Sequence, residues 1–179
     1  MRPLSPTELK RLHRDWRHRT EGRVDLLLDG VQTPYNVGAI LRTAAALRVE
    51  HLWLVDPTES PTHPKTQKTA LGSQRYLRWD TFRDAEAAAD AVASAGLRLV
   101  GVELAEGARP LHELDLTGDV CLAVGHEDRG LSKACLARCE VVGFVPQLGS
   151  VASLNVATAT AIALYETRRQ AWTAQDRRG

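Results

Sequence analysis

Three short segments of the chain combine small residues with polar side chains, and each follows an apolar run typical of a β-strand. Small residues let the backbone approach a ligand closely, and serine or asparagine can cap a helix and present donors at its start. Such a junction could hold a small polar molecule, although many strand-to-helix junctions have this composition and bind nothing. The segments are residues 36–44, with Asn36 and Arg42; residues 122–132, with Gly125 and Glu127; and residues 149–157, with Ser153 and Asn155.

Arg42 is the strongest candidate for chemistry in the first segment. It lies near the start of a predicted helix, after the potential capping residue Asn36, and shares a helix face with Gly38 four residues earlier. An arginine there is placed to hold a phosphate or to favour a developing oxyanion. The pattern alone favours the simpler alternative, an arginine on a solvated helix surface.

The other candidates also have simple structural explanations. Glu127 follows Gly125 at the end of a predicted strand, where open α/β sheets place ligands, but a solvated loop carboxylate would look the same. Ser153 and Asn155 precede the final helix, and either residue could serve as its cap. The residue types alone therefore leave both interpretations open.

Several other catalytic signatures are absent from the sequence. No G-x-G-x-x-G follows the first strand, and neither a G-x-x-x-x-G-K-[ST] loop nor a G-x-S-x-G elbow occurs. The acidic run at 126–128 lacks the spacing of metal ligands on a helix. These absences argue against a Rossmann dinucleotide site, a P-loop NTPase, a serine hydrolase of the elbow type and a metal site.

The three segments, in this order and at these distances, resemble the three motifs of the SPOUT-class RNA methyltransferases. They are similar in particular to the SpoU/TrmH branch, which methylates ribose 2′-hydroxyls, and the resemblance covers residues 24–170. It implies S-adenosylmethionine as cofactor without a metal, and a deep C-terminal trefoil knot that composition and periodicity do not predict. It also implies a homodimer that pairs through the final helix and builds its active site from both subunits.

The resemblance assigns roles to individual residues. Arg42 matches the proposed catalytic residue of the family; because a guanidinium is a poor base, we expect it to grip a substrate phosphate and lower the pKa of the hydroxyl. His126 stands where relatives often carry a small residue or asparagine. The implied catalytic set is Asn36, Arg42, Glu127, Ser153 and Asn155. The implied cofactor-binding set is Val102, Glu103, Leu104, Gly125, Val145, Ser153 and Leu154.

Alternating strand and helix patterns predict an α/β protein, with a parallel sheet sandwiched by helices in one domain over residues 1–179. Proline-rich residues 56–74 are predicted to form a surface loop. The predicted strands are 24–29, 51–55, 97–103, 119–124 and 141–145, with a further short strand at 76–78. The predicted helices are 5–19, 37–47, 83–95, 130–138 and 153–170.

The net charge is only +1, but residues 1–23 carry +4 and residues 166–179 carry +2, which leaves −5 for the middle of the chain. The basic ends include the predicted N-terminal helix (about 5–20) and a short C-terminal tail (about 171–179). Basic ends on an acidic body suit a polyanion held at the periphery. A solvated helix face with a frayed tail is the alternative, and charge alone favours it. The residues predicted to contact RNA are Arg11, Arg14, Arg17 and Arg19, together with Lys65 and Lys68 of the 56–74 loop.

The remaining features concern compartment and partners. The sequence has no membrane-length apolar run and no signal peptide, so we predict a cytoplasmic protein without membrane contact. Cys121, Cys135 and Cys139 lack zinc-site spacing and are predicted to be buried, reduced thiols. Because no separate N-terminal RNA-binding domain precedes the predicted fold, tRNA is favoured over rRNA as substrate. The alternative function is a non-catalytic RNA- or nucleotide-binding module of the same fold.

Small residues in the final helix bear on the predicted homodimer. Alanines alternate along residues 157–163, next to Leu164, and small side chains permit close packing. That packing could occur within the chain or across a subunit interface. In the N-terminal helix, Leu9, Leu12 and Trp16 lie on one face.

Overall fold

The computed structural model describes residues 1–176, which fold around a parallel β-sheet of seven strands. The strands are β1 (Val24–Asp29), β2 (His51–Val55), β3 (Arg78–Phe82), β4 (Arg98–Val102), β5 (Arg109–Pro110), β6 (Val120–Gly125) and β7 (Val141–Phe144). Their order across the sheet is β3-β2-β1-β6-β4-β7-β5, and every neighbouring pair is parallel.

Helices cover both faces of the sheet, as predicted. They are α1 (Pro6–His18), α2 (Pro34–Ala46), α3 (Pro64–Ala70), α4 (Ala85–Ser94), α5 (Lys133–Arg138) and α6 (Val156–Asp176). Alternation along β1 sends Leu26 and Leu28 into one apolar cluster, which includes residues of α2 and α6. Leu27 points the other way, into a second cluster with residues of α4 and α5.

The sheet brings two of the three predicted site segments together. β1 and β6 are neighbours, and their registers end at the pair Asp29 and Gly125. The segment at the start of α2 and the loop after β6 therefore leave the sheet side by side at its carboxyl edge. β7, which precedes the third segment, is separated from β6 by β4.

The prediction of a surface loop over residues 56–74 is wrong from residue 64 onwards. This segment contains α3 and a 3-10 turn at Ser73–Tyr76. Pro64 occupies the first turn of α3, where proline is tolerated, and His63 caps the helix by accepting a hydrogen bond from the Lys65 amide at 3.3 Å. The prolines therefore mark a helix start here and not only a turn.

Three predicted boundaries also differ from the structure. The short strand predicted at 76–78 is β3, which begins at Arg78; it is an edge strand with largely exposed side chains, so its apolar pattern is weak. The final helix begins at Val156 and not at residue 153. Residues 171–176 of the predicted basic tail continue this helix, and Arg177 and Arg178 lie outside the described residues.

Arg168 belongs to the basic C-terminal part of the sequence but is only 2% exposed. Its guanidinium donates to the backbone carbonyls of Leu47, Gly22 and Arg48 at 2.6–2.9 Å. Burial lowers its pKa to about 10. Arg168 thus ties α6 to the segment before β1 and to the end of α2, and it is not part of a basic outer surface.

Candidate active site

A cleft of about 330 Å³ opens at the carboxyl edge of the sheet, beside β4, β6 and β7. The loop after each of these strands and the segment that leads into α6 line the cleft. All seven residues predicted to bind a cofactor line this one cleft, as does Glu127. The lining residues are Val102, Glu103, Leu104, Val124, Gly125, His126, Glu127, Asp128, Arg129, Gly130, Phe144, Val145, Gln147, Ala152, Ser153, Leu154, Val156 and Ala159.

The loop after β6 is a tight hairpin that forms one wall of the cleft. The backbones of His126 and Gly130 exchange two hydrogen bonds, at 3.0 and 2.9 Å. The His126 imidazole accepts a third from the Asp128 amide through Nδ1, at 3.0 Å. A Cβ on Gly125 would lie 2.1 Å from the carbonyl carbon of Gly130, so the hairpin can close only over a glycine. His126 accordingly stabilises the hairpin.

Glu103 joins this hairpin to the loop after β4. Its carboxylate accepts hydrogen bonds from the backbone amides of Leu131, at 2.9 Å, and Leu104, at 3.0 Å. The same carboxylate covers Gly130, which has a left-handed backbone (φ +68°). Glu103 therefore lines the cleft and also holds two of its walls together.

Glu127 points from the hairpin to the start of α2. Its carboxylate accepts hydrogen bonds from the amides of Thr33 (2.9 Å) and Gln32 (3.3 Å) and from Nδ2 of Asn36 (2.9 Å). Thr33 makes no side-chain cap of its own, so Glu127 serves as the anion at this helix start. Partial burial opposes ionisation, but the hydrogen bonds from Asn36 and from backbone amides prevail and lower the Glu127 pKa to about 2.

Asn36 continues the network to the third segment. Its Oδ1 accepts a hydrogen bond from Nδ2 of Asn155 at 2.9 Å. Oδ1 of Asn155 in turn accepts from the amides of Ala157 (3.0 Å) and Thr158 (3.3 Å), which makes Asn155 the cap of α6. Side chains from all three segments are thus linked in the order Glu127, Asn36, Asn155.

The structure does not bring Arg42 and Ser153 into this network. Arg42 is exposed on α2; six residues after Asn36, it lies about 9 Å further along the helix and about 120° around it. Among the residues that line the cleft none comes from α2. Ser153 is exposed and lines the cleft, while the capping role belongs to Asn155. Within one chain, three of the five predicted catalytic residues are therefore linked by hydrogen bonds, and the other two, Arg42 and Ser153, are not part of that network.

The predicted RNA contacts are placed at the surface. Arg11, Arg14 and Arg17 are exposed on α1, Arg19 is exposed at its C-terminal cap, and Lys65 and Lys68 are exposed on α3. The structure also places cleft residues that the sequence analysis did not select, including Arg129, Phe144 and Gln147. In the part of the chain that is described, no group of three or more His, Cys, Asp or Glu side chains is arranged to hold a metal ion.

The motifs and the fold agree with a comparison against protein families. The model of the SpoU rRNA methylase family matches residues 23–165, which include β1 to β7 and α6 as far as Tyr165. The chain belongs to this family. The matched residues include all three segments described above, and with them the linked side chains of Glu127, Asn36 and Asn155.

Two of the relatives differ in the RNA that their names specify. The 23S rRNA (guanosine-2′-O-)-methyltransferase RlmB of Coxiella burnetii is 34% identical over 145 residues, which are 81% of this chain and 58% of that protein. The tRNA (guanosine(18)-2′-O)-methyltransferase of Escherichia coli is 30% identical over 168 residues, or 93% of this chain and 72% of that protein. For five curated relatives, the match spans only 55–61% of the relative's length.

A solved structure supports the assignment of the fold. The AdoMet-bound rRNA methyltransferase of Sinorhizobium meliloti superposes with a TM-score of 0.78 at 31% identity. The match covers 84% of this chain and 57% of that protein. The α/β fold of the SpoU family is therefore confirmed, and the C-terminal knot stays a prediction.

Proposed function

We propose that the protein transfers a methyl group from S-adenosylmethionine to a ribose 2′-hydroxyl of structured RNA. The observation that carries this proposal is the convergence of seven residues, selected from the sequence as cofactor contacts, on a single cleft. The cleft is joined through Glu127 to the hydrogen-bond network of Asn36 and Asn155. Relatives that methylate guanosine 2′-hydroxyls of tRNA and rRNA support the reaction type.

The cleft fits S-adenosylmethionine in composition and charge. Val102, Leu104, Val145 and Leu154 supply apolar walls of the kind that enclose an adenine ring. Its lining carries three carboxylates, Glu103, Glu127 and Asp128, against the single arginine Arg129. An excess of negative charge favours a cationic sulfonium. When bound, the cofactor supplies a methyl group that is already activated for displacement.

The protein's own groups have to position the substrate and activate its hydroxyl. Glu127, whose pKa of about 2 makes it a weak base, acts as a positioning residue, because it holds Asn36 and the start of α2. Asn155 fixes the start of α6, which immediately follows the cleft residues Ser153 and Leu154. Arg42 grips a substrate phosphate and lowers the pKa of the attacking hydroxyl through its charge.

A homodimer would reconcile the position of Arg42 with this scheme, because a second copy can bring its Arg42 to the cleft. An apolar surface that suits such pairing runs over α1 and α6. No residue of α1 is buried, and Leu9, Leu12 and Trp16 are each 40–42% exposed. The Trp16 ring contacts Trp172 of α6 at 4.9 Å between centroids, and Trp172 contacts Tyr165 at 5.9 Å.

The small residues of α6 contribute less to this surface than the sequence indicated. Ala157, Ala163 and Leu164 are buried within the chain, while Ile162 and Tyr165 are exposed. The pairing surface of α6 is therefore aromatic and aliphatic. Light scattering should give a mass about twice 19.7 kDa, and a Trp16→Glu variant should shift it towards the monomer. A monomeric mass for the unaltered protein would contradict the homodimer.

We favour tRNA over rRNA as the substrate, because the tRNA-directed relative aligns over a larger share of both chains than the rRNA-directed one. The exposed arginines of α1 would contact its phosphates. We also propose that the protein is cytoplasmic and that it forms one domain. The proposal includes the deep C-terminal trefoil knot that the resemblance to the family implies. Three free cysteines fit a reducing compartment, and no helix within residues 1–176 is long and apolar enough to cross a membrane.

Two measurements test the proposed reaction. Calorimetry should detect S-adenosylmethionine binding to the purified protein, and labelled cofactor should transfer its methyl group to RNA from a strain that lacks the gene. Mapping 2′-O-methyl groups in that RNA then identifies the nucleotide. Cofactor binding without transfer to tRNA or rRNA would contradict the proposal and support a non-catalytic module.

A further inference from the structure

On one face of the molecule, the two helices and the turn that form it contain no acidic residue of their own, although the chain is close to neutral overall. It is formed by α2, α3 and the 3-10 turn Ser73–Tyr76, which pack together, and we refer to it as the α2–α3 face. Residues 60–79 contain four lysine and arginine residues and no Asp or Glu, and α2 contains Arg42 and no acid. A surface of this charge attracts a polyanion.

The same face exposes large apolar side chains. Tyr35 is 63% exposed, Leu71 65% and Tyr76 72%. Tyr35 lies seven residues before Arg42 on α2, nearly two full turns, so the two side chains leave the helix on the same side. A Cβ on Gly38, between them, would lie only 2.6 Å from Cβ of Thr69. α3 therefore packs closely beside the side of α2 that carries Tyr35 and Arg42.

Two of these side chains are held in place before any partner binds. The Arg75 guanidinium lies 5.3 Å from the centroid of the Tyr76 ring, and its Nε donates to the Gly72 carbonyl at 2.9 Å. Leu71 has a left-handed backbone (φ +51°), which is uncommon for a leucine, and its side chain faces solvent. Exposed apolar area costs free energy in the isolated protein, and a binding partner that covers these side chains would offset that cost.

We infer that the α2–α3 face binds unpaired nucleotides of the RNA. This inference rests on the proposed function and specifies which part of the RNA substrate is recognised. A duplex presents phosphates and groove edges but hides the faces of its bases. Exposed rings can stack only on bases that are already unpaired, and such stacking is tolerant of sequence. The side chains assigned to bases are Tyr35, Leu71 and Tyr76, and those assigned to phosphates are Lys65, Lys68 and Arg75.

The test compares two synthetic RNAs, a hairpin with an unpaired loop and a blunt duplex of the same stem sequence. Tyr76→Ala and Tyr35→Ala should each weaken hairpin binding by about tenfold, because a base loses its stacking partner. Binding of the duplex should not change. Tyr76→Phe keeps the ring and should bind the hairpin like the unaltered protein, and Leu148→Ala controls for removal of an exposed apolar side chain elsewhere.

Salt dependence separates the two kinds of contact. The double variant Lys65→Ala/Lys68→Ala should reduce the slope of log affinity against log salt by about 0.7 for each lost contact with single-stranded RNA. The tyrosine variants should leave that slope unchanged, since they remove no charge. Calorimetry should show unchanged S-adenosylmethionine affinity in all of them, because these side chains lie outside the cleft.

The inference and the proposed function fail in different ways. If the unaltered protein methylates RNA but both tyrosine variants bind hairpin and duplex as it does, the α2–α3 face does not bind unpaired nucleotides. Equal losses for hairpin and duplex would also overturn the inference, because they would indicate contacts to the backbone alone. An unaltered protein that binds the hairpin through these tyrosines but methylates no RNA would refute the proposed function instead.

Discussion

Replacing Glu127 by glutamine tests whether the carboxylate holds the site together. In the structure Oε1 accepts from Thr33 and Asn36 and Oε2 accepts from Gln32. A glutamine can place its carbonyl oxygen where Oε1 lies and keep two of the three hydrogen bonds. It loses the bond to Gln32 and the negative charge at the start of α2, so the variant should fold but be less stable.

The size of the loss follows from the pKa of Glu127. Its fall from 4.5 to about 2 sets an upper limit of roughly 3 kcal/mol on the advantage of the charged form. Because the carboxylate is only partly buried, solvent screening reduces this to roughly 1–2 kcal/mol at neutral pH. We expect Glu127→Gln to lower the free energy of unfolding by that amount, and Glu106→Gln, at an exposed loop position, to change it by less than about 0.5 kcal/mol.

The pH dependence provides the sharper measurement. A carboxyl whose pKa is lowered by folding stabilises the protein above its unfolded pKa, and the contribution is lost as pH falls through the folded pKa. The difference in unfolding free energy between the unaltered protein and Glu127→Gln should thus be constant above about pH 4.5 and shrink towards about pH 2. Urea titrations over this range measure it, and other carboxyls cancel in the difference. A difference that does not vary with pH would refute the assigned role of the charge.

Three further perturbations address the cleft, the core and the proposed chemistry. Gly125→Ala forces a Cβ into the Gly130 backbone and should weaken S-adenosylmethionine binding at least about tenfold by calorimetry; normal affinity would show that the hairpin tolerates opening. Arg168→Leu leaves three backbone carbonyls without their arginine donor and should cost about 3 kcal/mol in urea unfolding, whereas a loss below about 1 kcal/mol would contradict its bridging role. Arg42→Ala should reduce single-turnover methyl transfer on the order of a hundredfold with unchanged cofactor affinity, and Arg42→Lys should restore little. Near-normal turnover would remove Arg42 from the mechanism.

The sequence was sufficient for the central sheet because its signals there are strong and local. Continuous apolar runs such as Leu26-Leu27-Leu28 mark parallel strands that are covered on both faces, and β1 and β6 appear where predicted. Edge elements carry weaker signals. β3 has mostly exposed side chains, and the prolines around α3 favour a loop as much as a helix start.

The site could be predicted only where side-chain identity carries the information. Asn36, Glu127 and Asn155 were selected by type and motif, and the structure links them. The partners of Glu127 at positions 32 and 33 are backbone amides, which every residue except proline has, so no residue type signals them. The burial of Arg168 depends in the same way on carbonyls that come together only in the fold.

The link between Asn36 and Asn155 has a consequence for how the cleft is formed. β7 and β1 are three strand positions apart in the sheet, about 14 Å. Because α2 follows β1, the chain that leaves β7 must cross this distance to bring Asn155 to Asn36 on α2. Residues 145–155 make this crossing without regular structure, and they include Val145, Ser153 and Leu154 of the cleft. Because Asn155 is bonded both to Asn36 and to the first turn of α6, the far end of the crossing is fixed. One wall of the cleft is therefore positioned by a hydrogen bond on the opposite side of β6, between two residues that are far apart in the sequence.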